Sequence, residues 1–165
     1  IKRRLTVKYN KIAGLDKNIS KLIMGNDNQT NYDEASKLWD YWIEVGGNAF
    51  DNAHIYGNGL MEKLLGKWQR SRNILKNIIL IAKGAHTPNC NPDSLFSQLE
   101  ESLERLQSNN VDIYIMHRDN KEIPVGEFID VLNDRKSQNK FRIFGASNWS
   151  LERFIEANVW AKNNN

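Results

Sequence analysis

Val111-Asp112-Ile113-Tyr114-Ile115-Met116-His117, an apolar run that ends on a titratable side chain, decides how this chain folds. Six residues rich in β-branched and aromatic types make a strand, and near-continuous apolarity suits a strand covered on both faces, as in a parallel sheet. The pattern recurs on both sides. Ile78-Ile79-Leu80-Ile81-Ala82 runs into Lys83, Asn48-Ala49-Phe50 into Asp51, Arg142-Ile143-Phe144-Gly145-Ala146 into Ser147-Asn148, and Leu22-Ile23-Met24 into Gly25-Asn26. Helical periodicities lie between and after these runs, and the alternation predicts βα units.

Each predicted helix has a start signal and an apolar face. Thr30 with Asp33 opens the first, which buries Ala35, Leu38, Trp39 and Trp42 and stops at Gly46-Gly47. The second is short, with Met61, Leu64, Leu65 and Trp68 on one side. Asn91 caps the third and Pro92 sits in its first turn, ahead of Leu95, Leu99, Leu103 and Leu106. Pro124 opens the fourth, with Val125, Phe128 and Leu132 inward. Ser150 caps the fifth, whose core face is Leu151, Phe154 or Ile155, and Val159. Ahead of these units Leu5, Val7 and Tyr9 alternate with polar residues, so residues 1–18 form a hairpin or an extension and residues 19–165 the domain proper.

Bulk composition excludes several classes. With 40% hydrophobic and 26% charged residues the 165-residue chain is an ordinary globular domain, and a net charge of +3 is too small and scattered for a nucleic-acid partner. The basic start Lys2-Arg3-Arg4 reads as a solvated end. A single cysteine, Cys90, rules out a disulfide framework, and no apolar run approaches the roughly 20 residues of a membrane span. A reduced, cytoplasmic protein is expected. The chain opens on Ile1 with no signal-peptide pattern, and a fragment of a longer protein is expected. His86 and Cys90 stand four apart, too few ligands for a metal centre.

Asp51, Lys83, His117 and Asn148 follow successive strands at separations of 32, 34 and 31 positions, about one βα unit each. They therefore share the C-terminal end of the sheet, where α/β folds carry function. Singly, each reads better as a surface ion pair or a satisfied histidine. Three titratable groups at equivalent points in consecutive units favour a site. Tyr56 lies five residues past Asp51 in the turn Ile55-Tyr56-Gly57-Asn58-Gly59. A phenol, with a pKa near 10, donates a proton usefully at neutral pH only beside a cation, which Lys83 can supply. Asp51 can hold Lys83, and His117 can hydrogen-bond a substrate oxygen or the tyrosine.

Asn48 to Gly57 with Asp51 and Tyr56, Ala82-Lys83-Gly84, Val111 to His117, and Gly145-Ala146-Ser147-Asn148 together resemble the ordered signatures of the aldo-keto reductases, from about Ile12 to Trp160. The resemblance implies a (β/α)8 TIM barrel that binds NADPH, or NADH, and moves a hydride to or from an aldehyde or ketone. It makes Tyr56 the general acid, Lys83 its activator, Asp51 the partner of Lys83, and His117 the group that orients the carbonyl. Ser147 and Asn148 match positions that hold the nicotinamide carboxamide, and Gly25-Asn26 a strand end beside the cofactor. The stretches Gly25 to Gln29, Lys83 to Pro88 and His117 to Asn120 are similar to reductase domains fused to a Rossmann-type oxidoreductase domain.

Two departures accompany the resemblance. Asn52 stands where the family often has Thr. Length is the larger one, since such a barrel takes about 250 residues and this chain supplies about five βα units. The expected architecture is therefore a partial barrel with open edges at its first and fifth strands, prone to self-association or to pairing with a missing C-terminal segment. Groups that complete the cofactor site in the family would lie beyond Asn165, so impaired activity is expected. The rival expectation is a reductase-like binding module without turnover.

Overall fold

A computed structural model describes residues 7–164; Leu5 and the basic start Lys2-Arg3-Arg4 lie outside the described residues. The chain opens with two short antiparallel strands, β1 (Tyr9–Asn10) and β2 (Ile19–Ser20). A parallel sheet follows, made of β3 (Met24–Gly25), β4 (Ala49–Asp51), β5 (Ile79–Gly84), β6 (Val111–Met116) and β7 (Phe141–Ala146) in sequential order. After the five strands come α1 (Tyr32–Glu44), α2 (Leu60–Arg72), α3 (Pro92–Leu106), α4 (Val125–Ser137) and α5 (Leu151–Asn164). This is five consecutive units of a (β/α)8 barrel, with the edges at β3 and β7 unpaired among the described residues. Among those residues no helix is long and apolar enough to cross a membrane.

Strand parity sorts the side chains into two layers. Phe50, Leu80, Ala82, Tyr114 and Met116 point outward and pack with Trp39 and Trp68 from the helices. Trp68 sits 5.4 Å from Trp39 and 5.2 Å from Phe50, centroid to centroid, in tilted arrangements. Each buried indole N–H finds an acceptor, as burial requires: Trp39 donates to Asn26 Oδ1, Trp42 to the Ala49 carbonyl and Trp68 to Asp40 Oδ1. The opposite parity, Ala49, Ile79, Ile81 and Ile113, forms the inward face, and Leu15 and Ile19 close over it. The chain before β3 thus covers part of the sheet's inward face. Lys17 pins it there through an ion pair to Asp112 (2.9 Å) and a hydrogen bond to the Ile78 carbonyl.

Capping follows the side-chain chemistry with one shift. Asn31, not Thr30, caps α1, its Oδ1 accepting from the N–H groups of Asp33 and Glu34. Asn91 caps α3 by accepting from Ser94 N at 2.8 Å, with Pro92 opening the helix. Replacing Asn91 by Ala is expected to cost about 1 kcal/mol of stability, read as a lower urea midpoint at unchanged slope. α2 is as long as α1, at 13 residues, rather than short. At the first strand only Met24 of the predicted run pairs, while Leu22 and Ile23 are exposed.

Two apolar faces came out differently. Leu38 of α1 is exposed, and Ser36 is buried beside Ala35, Trp39 and Trp42. In α5 all four expected core residues, Leu151, Phe154, Ile155 and Val159, are exposed, and Arg153 and Ala157 are buried. Periodicity identifies an apolar stripe but not the neighbour that covers it.

Candidate functional site

The site grows out of the inward parity. Ala49, Ile79, Ile81, Ile113 and Ile115 are apolar, and the next inward positions along the same strands are Asp51, Lys83 and His117. One strand face is therefore hydrophobic in its interior and ionisable at its C-terminal end. Sheet hydrogen bonds extend past the strands and fix the backbone there. Asn26 N donates to the Asp51 carbonyl, Asn52 N to Ile81, His54 N to Lys83, His117 N to Gly84 and Ser147 N to Met116, at 2.7 to 3.1 Å.

Lys83 Nζ lies 2.5 Å from each Asp51 oxygen, with the lysine side chain 8% and the aspartate 31% exposed. The same ammonium is 5.0 Å from the centroid of the Tyr56 ring. Tyr56 meets His117 edge to face at 5.7 Å, and His86 meets His117 from another side at 4.7 Å. The structure thus brings Asp51, Tyr56, Lys83 and His117 into one cluster and adds His86. His86 Nδ1 faces the Thr87 carbonyl at 2.9 Å; a carbonyl only accepts, so Nδ1 is the donor.

Tyr56 is presented by a conformationally costly turn. Gly57, Asn58 and Gly59 all have positive φ, and Asn58, with a Cβ, gives up about 1 kcal/mol for φ 52°. Contacts from elsewhere must hold it. His54, at the start of the turn, is tied to Lys83 through its N–H and to Arg105 of α3 through its carbonyl. Arg105 also pairs with the fully buried Glu62 and with Glu101.

Burial first, then the charges of Lys83, His86 and Arg118, hold the His117 pKa down at about 4. The imidazole is neutral at pH 7, with Nδ1 buried and without a protein partner. An unfolded chain titrates this group near 6.5. Between pH 6.5 and about 4 the unfolded state therefore takes up a proton that the folded state refuses. The stability due to neutral His117 is complete above pH 6.5, falls as pH drops, and is gone below about 4, a loss of about 3 kcal/mol. Urea unfolding at pH 7, 5.5 and 4 is expected to show that loss and a shallower fall in His117→Gln. Equal slopes in the two proteins would refute it.

At the end of β7, Asn148 Nδ2 donates to the His117 carbonyl at 3.2 Å and to Ser147 Oγ at 2.9 Å. Asn148 Oδ1 then remains an acceptor and the Ser147 hydroxyl a donor, the complement of a carboxamide. A Cβ added at Gly25 or at Gly145 would meet nothing within 4 Å, so both strand ends border open space. This donor set and this space fit the nicotinamide end of a dinucleotide. Asn26 is placed differently from Gly25: its side chain is fully buried, with Oδ1 accepting from Trp39 Nε1 at 2.7 Å. Asn52 is buried too, Oδ1 accepting from Ala53 N.

The family model of the Aldo/keto reductase family matches residues 21–164. The chain belongs to that family. Among curated relatives this chain is 31% identical over 156 residues to aldo-keto reductase AFTS1 of Alternaria alternata, covering 72% of the chain and 43% of the relative. It is 28% identical over 137 residues to a probable voltage-gated potassium channel subunit beta of Oryza sativa subsp. japonica, covering 79% and 42%. Among solved structures it superimposes on the holo form of aldo-keto reductase AKR11C1 from Bacillus halodurans with a TM-score of 0.76 and 26% identity, covering 86% of this chain and 50% of that one. The chain spans about half the length of the relatives it matches.

The loop after His117 is held by partners from other elements. Asp119 binds Arg153 of α5 at 3.0 Å, and the Arg118 carbonyl accepts from Cys90 Sγ and Trp149 Nε1. Arg105, Glu62 and Arg153 carried no sequence signal. The partners that fix their place, His54 and Glu62 for Arg105 and Ile123 for Arg153, lie 30 to 51 residues away, where periodicity says nothing.

Proposed function

We propose that the chain serves an NAD(P)H-dependent oxidoreductase that reduces an aldehyde or ketone, or runs the reverse oxidation, with NADPH preferred. The observation that carries this reading is the Lys83 ammonium, clasped by both Asp51 oxygens and 5.0 Å from the Tyr56 ring, with neutral His117 edge-on to the phenol.

When bound, the nicotinamide supplies the hydride that the carbonyl carbon accepts. Ser147 Oγ would donate to its carboxamide oxygen and Asn148 Oδ1 would accept from its amide, beside the room left at Gly25 and Gly145. Asn26, its side chain committed to Trp39, contributes by bracing the strand end. Tyr56 Oη gives its proton to the carbonyl oxygen as negative charge develops there. Lys83 stabilises the phenolate left behind, and Asp51 keeps that ammonium in place. His117, neutral and mostly buried, hydrogen-bonds the same oxygen without competing for its proton. The free thiol of Cys90 favours a reducing, cytoplasmic setting.

A second reading draws on the similarity to channel β subunits: a module that holds a nucleotide or partner without turnover. One experiment separates the two. NADPH and NADH are titrated by fluorescence quenching, and loss of reduced cofactor is followed with a panel of aldehydes and ketones. Binding with turnover supports the reductase, and binding without turnover supports the module. Absence of binding rejects the reductase and the nucleotide-holding module.

A further inference from the structure

We propose that Arg105 is a positioning residue that locks the Tyr56 turn in its donating geometry from beneath, with Glu62 holding the guanidinium in place. This rests on the reading of Tyr56 as proton donor. Arg105 lies in the last turn of α3, and its guanidinium reaches three groups at once: the His54 carbonyl (3.2 Å), Glu62 Oε2 (3.3 Å) and Glu101 Oε2 (2.7 Å). Glu101 reaches back to His54 Nε2 at 2.9 Å, so His54 is held by both its main chain and its ring. Gly59, at the far end of the turn, lies flat on the guanidinium: a Cβ there would stand 2.6 Å from Arg105 Cζ. Both ends of the Tyr56 segment therefore rest on one side chain.

The support is itself rigid. Gly66 of α2 lets the α3 backbone approach so closely that a Cβ would fall 2.3 Å from the Arg105 carbonyl oxygen. Glu62 is fully buried, and burial pushes its carboxyl above the usual range while the bond from Arg105 and its charge oppose that shift. A planar fork with several donors can satisfy a carbonyl and two carboxylates together, whereas an ammonium on a flexible stem cannot hold that geometry.

The test uses the 165-residue chain carrying Arg105→Ala, Arg105→Lys or Glu62→Gln, each checked for fold by circular dichroism. Amide hydrogen exchange followed by mass spectrometry is expected to speed up at least tenfold over residues 54–60 in Arg105→Ala. Over residues 125–146 it stays within twofold. Arg105→Lys recovers part of the protection, and Glu62→Gln, which keeps the side-chain volume, gives an intermediate increase. Where NADPH-dependent turnover is measured, kcat falls tenfold or more while the carbonyl KM and the NADPH Kd stay within twofold. Unchanged exchange at residues 54–60, or a rise spread evenly over the whole chain in both Arg105→Ala and Glu62→Gln, overturns the proposal. A chain that turns over no carbonyl defeats the functional reading alone, because the exchange result still decides the role of Arg105.

Discussion

Tyr56→Phe is expected to lower turnover of NADPH with any carbonyl substrate by a factor of about 10² to 10⁴, the range that a positioned general acid contributes. That corresponds to about 3 to 5 kcal/mol of activation free energy. The substitution removes one oxygen and keeps the ring, so the edge contact with His117 and the position 5.0 Å from the Lys83 ammonium survive. NADPH affinity should stay within twofold. Lys83→Met is expected to be as damaging for a different reason: it leaves Asp51 without its partner and the phenolate without its cation. Initial rates of cofactor oxidation with saturating carbonyl measure both. Activity of the parent chain that persists in Tyr56→Phe would end the proposed proton route.

Arg153→Ala should be the most destabilising of the changes considered, by about 3 to 5 kcal/mol, the usual cost of deleting one partner of a buried ion pair. Arg153 and Asp119 are 7% and 9% exposed at the side chain, and the other Asp119 oxygen already lacks a partner. The guanidinium also satisfies the carbonyls of Asn120 and Ile123 and pairs with Glu156. Its loss therefore releases the loop after His117 from α5, and α5 is otherwise weakly buried, through Ala157. Arg153→Lys is expected to recover less than half, since an ammonium cannot reproduce the fork. Urea unfolding at pH 7 reads the effect, and a loss below 1 kcal/mol would mean that the pair is not the anchor of α5.

Much of the candidate site was legible because it obeys two simple periods. Side chains alternate along a strand, and βα units repeat roughly every 32 residues, so Asp51, Lys83, His117 and Ser147-Asn148 fall on one end of one face. The start signals at Asn91 and Ser150 worked because capping is local, between a side chain and the backbone three residues on, and Pro124 worked without a cap bond because its ring fixes φ just ahead of α4. Thr30 failed narrowly, since its neighbour Asn31 is the stronger cap and its Oδ1 reaches two amides.

The chain's own sequence therefore determined the order of elements, the parity of each strand and the cluster of ionisable groups at the strand ends, because these follow from local stereochemistry and fixed repeats. Only the tertiary structure decided which apolar stripe is covered, that Leu15 and Ile19 close the inward face, and that α5 is anchored by Arg153 rather than by Phe154 or Val159. The same holds for Arg105 beneath the Tyr56 turn. Such pairings join residues tens of positions apart, and a guanidinium or an apolar stripe carries no mark of its partner until packing supplies one.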